Sequence, residues 1–119
     1  MTPRLIADAY IETWNAANAD QRRSLLSRHW SPQASYVDPL MQGAGPEQIA
    51  GLIEAVKTRF PGFRFQLQGT PNGYGAYIRL AWTLGAPGHE APIEGSDVLE
   101  LQDGRIARVI GFIDKAPAP

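Results

Sequence analysis

The sequence predicts an α+β fold, with helices first and then an antiparallel sheet that carries them on one side. Two observations predict it. Up to Phe60 the apolar residues recur at helical spacing, in stretches broken by Asn18, Ser31-Pro32 and Pro61-Gly62. From Phe63 to Asp114 they alternate with polar residues in runs joined by Gly- or Pro-containing turns. At 119 residues the chain is long enough for one core. The expectation is a single domain over residues 1–115 and a disordered Ala116-Pro117-Ala118-Pro119 tail.

Thr2 is a plausible N-cap and Pro3 suits a first helical position. Leu5, Ile6, Ala9, Tyr10, Thr13, Trp14 and Ala17 then form one wide stripe, which Asn18 ends. Asp20 can cap a shorter second helix through His29, with Leu25, Leu26 and Trp30 inward. Ala34 to Asp38 reads as a short extended piece, because Pro39 biases the residue before it away from the helical region. Leu40 to Gly45 reads as loop. Pro46 opens a third helix whose inner face is Ile49, Leu52, Ile53, Val56 and Phe60.

Four strands follow. Phe63, Phe65 and Leu67 alternate with Arg64, Gln66 and Gln68 before a turn at Pro71-Asn72-Gly73. Ile78, Leu80, Trp82 and Leu84 share one face of the next strand. Glu94 to Gln102 and Arg105 to Asp114 form a hairpin around Asp103-Gly104, a strong turn signal because the turn needs positive φ. In the last strand strict alternation groups Ile106, Arg108, Ile110 and Phe112. Arg108 spoils that row, so a bulge or an edge position is expected.

Composition excludes several functions. With 11 Lys+Arg against 12 Asp+Glu, the net charge of −1 offers no broad basic surface to nucleic acid or to an anionic membrane. There is no cysteine, hence no disulfide, thiolate nucleophile or cysteine–metal site. Only two histidines are present, His29 and His89, so no metal site and no cofactor is expected. No apolar run reaches transmembrane length and no signal-type apolar segment follows Met1, which sets a cytoplasmic location as the expectation.

One residue stands out. Gly95, Asp97, Leu99 and Leu101 share a face, and the two leucines mark that face as buried. A carboxylate in that row must be partnered, held neutral or placed in a wet pocket.

Three stretches together resemble the NTF2-like fold, in its SnoaL-like and ketosteroid-isomerase-like branch. They are Tyr10-Ile11-Glu12-Thr13-Trp14-Asn15-Ala16, Ala34-Ser35-Tyr36-Val37-Asp38-Pro39, and Ser96-Asp97-Val98-Leu99-Glu100-Leu101-Gln102-Asp103-Gly104-Arg105-Ile106. The resemblance runs from Leu5 to Asp114. It implies a curved antiparallel sheet wrapped into a cone around the N-terminal helices, with an apolar pocket at one end. It also implies a homodimer through the outer sheet face, where Arg79, Ala81, Thr83, Ser96, Val98 and Glu100 are expected.

In the isomerase branch the pocket holds a general base and two hydrogen-bond donors, one of them a carboxylic acid kept neutral by an apolar site. Carried over by motif, the base falls on Asp38, and the donors fall on Tyr10 and Asp97. Trp14, Tyr36, Met41, Phe65, Trp82 and Phe112 are the candidate walls for a small apolar ligand. The chemistry is coherent. Proton transfer beside a carbonyl needs a carboxylate within reach of the C–H and donors aimed at the oxygen that becomes an enolate. Two function classes follow. One is a cofactor-independent isomerase or cyclase. The other is a non-catalytic binding or protein-interaction module of the same fold.

Overall fold

The computed structural model describes residues 2–117. Met1, Ala118 and Pro119 lie outside them, and with Ala118 and Pro119 so does half of the tail expected to be disordered. Ala116 and Pro117 lie against the mouth of a cavity.

Helix α1, Pro3–Trp14, starts where Thr2 accepts the Leu5 N–H through its side chain. It stops three residues before the expected Ala17. Leu5 leaves the predicted stripe and is largely exposed, because Ile6, Tyr10, Thr13 and Trp14 occupy the inner face. Helix α2, Ala19–His29, is capped by Asn18, which accepts from Gln21 N–H, instead of by Asp20. Trp30 is its C-cap and opens strand β1, Trp30–Val37. That strand starts earlier than Ala34. Its pairing is interrupted between Trp30 and Ser35, around Pro32, which cannot donate to a ladder.

The segment read as loop contains strand β2, Gln42–Ala44, before helix α3, Gly45–Arg59. Strand β3, Arg64–Tyr74, runs through the predicted Pro71-Asn72-Gly73 turn. Gly69, at φ 67°, absorbs an irregularity between Gln68 and Asn72, and Pro71 falls where the ladder is broken. The actual reversal is at Gly75-Ala76, before β4, Tyr77–Gly85. Strands β5, Ile93–Gln102, and β6, Arg105–Lys115, meet at Asp103-Gly104. Both turn residues have positive φ, 52° and 78°, as a type I′ hairpin requires.

The sheet order is β2-β1-β6-β5-β4-β3. It is mixed where a wholly antiparallel sheet was expected, because β1 lies parallel to β6. Breaks in register bend it, so that it curves without closing around the helices. The core fills the concave side, with Trp30, Ile49, Ile53, Leu99, Ile106 and Val109 fully buried.

The predicted row in β6 is corrected by a bulge. Leu101 pairs with Ile106 and Glu100 with Arg108, so Ala107 is the extra residue. The alternation flips there. Val109, Gly111 and Ile113 turn inward, while Phe112 turns outward and is 53% exposed. Phe112 is therefore no wall of the interior.

Candidate functional site

A cavity of about 600 Å³ opens between the sheet's concave face, α1, the C-terminal turns of α3 and the segment after β1. That volume is in the range of small-molecule sites. It brings together Tyr10, Asp38 and Asp97. Of the expected walls, Trp14, Tyr36, Met41, Phe65 and Trp82 line it and Phe112 does not. Ile113, the next inward residue of β6, stands in its place.

Each residue has a local reason for its position. Tyr10 and Trp14 sit four apart on the inner face of α1 and are buried. Asn15, just past the helix, fixes the strand that supplies Phe65. Its Nδ2 donates to Phe65 O at 2.8 Å and its Oδ1 accepts from Phe65 N–H at 2.9 Å. Trp82 of β4 lies opposite Gly95 of β5, and a Cβ on Gly95 would fall inside the indole ring. That glycine is what lets the ring lie flat on the sheet.

Asp97 is 2% exposed. Its Oδ2 accepts from the Tyr10 hydroxyl at 2.5 Å, and its Oδ1 has no partner among the described residues. Burial pushes the Asp97 carboxyl up to about 6, against opposition from the Tyr10 hydroxyl and the Trp82 indole. The indole N–H of Trp82 lies near the carboxyl yet completes no hydrogen bond of ordinary geometry. Tyr10 is itself pushed well above the usual phenol range, first by burial and then by the charge of Asp97, so it stays a donor.

Asp38 has the opposite surroundings. It is half-buried and follows β1 at the head of a tight turn. Its Oδ1 accepts from Leu40 N–H at 2.8 Å and Met41 N–H at 2.9 Å, and its Oδ2 accepts from the Tyr36 hydroxyl at 2.7 Å. Three donors bond to it, and a lone pair is still open on Oδ2.

Gly111 brings the two acids together, and nothing in the sequence reading singled it out. A Cβ on Gly111 would stand 2.9 Å from Asp97 Oδ1, 3.2 Å from Asp38 Cβ and 3.5 Å from the Tyr36 hydroxyl. The signal was present, because a glycine in a strand marks a close approach, here directly opposite Asp97 in register. Arg59 was missed as well. It follows Ala55 and Val56 by one helical turn and is the one basic residue on the cavity wall among the described residues.

No group of His, Cys, Asp and Glu side chains suited to hold a metal ion occurs among the described residues, and none of their helices is long and apolar enough to cross a membrane.

The chain and its fold have parallels among known proteins. The model of the SnoaL-like domain matches residues 7–109. A proposed isomerase of the SnoaL-like family from Agrobacterium tumefaciens is 45% identical, with 96% of this chain and 99% of that one covered and a TM-score of 0.90. A proposed ketosteroid isomerase from Kribbella flavida is 18% identical over 98% and 81% of the two chains, with a TM-score of 0.71. A proposed SnoaL-like polyketide cyclase from Jannaschia sp. is 15% identical over 94% and 85%, with a TM-score of 0.74. These last two are likenesses of fold. No curated protein matches the chain. The match over most of its length, and a 45% identical relative spanning nearly all of it, place this chain in the SnoaL-like domain family.

Proposed function

We propose that the protein is a cofactor-independent enzyme that moves a proton next to the carbonyl of a small, largely apolar compound. One observation carries this reading: two carboxyl groups, one buried and one half-buried with three donors on it, come together over Gly111 and both line the same apolar cavity. A buried acid beside a more exposed carboxylate is the pattern that separates acid from base.

Asp38 is the base. Its Oδ2 lone pair takes the proton from the carbon beside the carbonyl, and the C–H electron pair moves into the enolate. Asp97 is the acid. Tyr10 donates to its Oδ2, which leaves the acidic proton to Oδ1, the unpartnered oxygen beside Gly111. That O–H donates to the carbonyl oxygen as negative charge develops there. Tyr10 thereby acts behind Asp97 in this state. Asp38–H then returns the proton to a different carbon, which completes an isomerisation; attack of the enolate carbon on a second carbonyl of the same molecule instead closes a ring, and Asp38–H gives its proton to the alkoxide that forms. The Agrobacterium relative, a proposed isomerase, supports the first outcome.

Asp38→Asn keeps an oxygen for the Leu40 and Met41 N–H groups, so the turn and the fold are retained. It removes the base, and turnover of a β,γ-unsaturated ketone falls by about 10²-fold or more. Equal rates in wild type and variant exclude Asp38 as the base. Tight binding of such a ketone by the wild type with no turnover establishes the second reading, a binding module, which the Asp38 hydrogen bonds to its own turn favour.

A further inference from the structure

Arg59 has no part in the proton transfer, yet it lines the same cavity. It is exposed where Asp97 is buried, so it stands at the mouth, with Leu40 and Pro117. No carboxylate pairs with it among the described residues, whereas Arg22 is claimed by Glu54 at 2.9 Å and Arg4 by Asp8 at 3.1 Å. The guanidinium lies over the Phe60 ring, 5.6 Å from its centroid, and Phe60 is stacked on Phe63 at 5.4 Å with planes 15° apart. A cation in the last turn of α3 suits the helix dipole. The dipole accounts for a cation in that turn but not for one on its cavity side.

We infer that Arg59 sets the ligand class: a compound with an apolar body that carries a carboxylate at the end away from the reacting carbonyl. The inference rests on the proposed reading of the cavity as a carbonyl site. Charge fixes the orientation. The Asp38 carboxylate disfavours an anion at the inner end, while the Arg59 guanidinium favours it at the mouth. The carboxylate then pairs with Arg59, and Val56, Phe60 and Ile113 pack along the body between the two ends.

The test is calorimetric binding of two shape-matched probes, 1-naphthylacetate and 1-naphthylacetamide, to the full chain and to its Arg59→Gln and Arg59→Lys variants. The wild type is expected to prefer the acetate by about tenfold, the scale of a hydrogen bond to a charged group. Arg59→Gln abolishes that preference and leaves the amide affinity within about twofold, while Arg59→Lys keeps part of the preference. Added salt weakens the acetate alone. Equal weakening of both probes by Arg59→Gln assigns the residue to packing and overturns the inference, as does a wild type with no preference or with no affinity for either probe. Binding requires no turnover. An acetate preference carried by Arg59 therefore survives if Asp38 proves not to be a base, and its failure leaves the test at Asp38 intact.

Discussion

At the scale of single residues, Asp97 is the place where structure turns into chemistry. A carboxyl group at 2% exposure with one oxygen unpartnered is costly to ionise. The folded state therefore holds its proton more tightly than the unfolded chain does. The sign follows from linkage. The folded value, about 6, lies above the ordinary 3.8, so the stabilisation is fully present below the ordinary value and is lost as pH rises through 6. Its scale is about 3 kcal/mol, from the size of the shift. Asp97→Asn, which never ionises, lacks this dependence. The stability of wild type relative to Asp97→Asn, followed by urea denaturation, is expected to fall by that order between about pH 4 and about pH 7. A flat difference removes the neutral acid from the mechanism. Asp97 was legible beforehand as a carboxylate on a core-facing row, whereas Tyr10 and Asp38 were reached only through the resemblance to the NTF2-like fold. Gly111 and Gly95 were not legible, because a glycine states only that something comes close and not what does.

At the scale of elements, the sequence carried the helices and most strands through their periods, and it failed where one residue changes parity. Arg108 signalled a bulge or an edge position, and the bulge is there at Ala107, but Phe112 was still grouped with Ile106 because the signal does not say which residue is the extra one. The bulge turned Phe112 out and Ile113 in. The Pro71 turn failed for a related reason: Gly69 in the left-handed region let β3 continue past a proline. The parallel β1–β6 contact is a long-range pairing that no local pattern announces. Asn15 shows how an element is held once formed. Its side chain replaces a missing strand neighbour at Phe65. Asn15→Ala leaves a part-buried N–H and C=O without these partners, and is expected to cost about 1–3 kcal/mol in chemical denaturation. An unchanged midpoint would mean that β3 is positioned by packing alone.

At the scale of the whole molecule, the sheet has two faces with separate roles. The concave face holds the core and the cavity. On the outer face Val37, Ile110, Val98 and Arg79 align across β1, β6, β5 and β4, with Phe112 exposed beside Ser96 and Glu100 opposite Arg108. This mixture of apolar and oppositely charged groups suits a packed interface with a polar rim, and we propose that two copies pair through it. Sedimentation is expected to give a dimer at micromolar concentration that Val98→Glu dissociates. A monomeric wild type contradicts the pairing without touching the cavity. The central claim is that an acid which keeps its proton up to about pH 6 shares that cavity with the base, and it meets its most direct test in a carboxyl carbon-13 NMR titration of Asp97, assigned through Asp97→Asn. The account predicts a midpoint near 6. A midpoint at or below the ordinary carboxylate range would contradict it, because Asp97 would then be charged already at about pH 5 and would have no proton to donate to a carbonyl oxygen where the account has one.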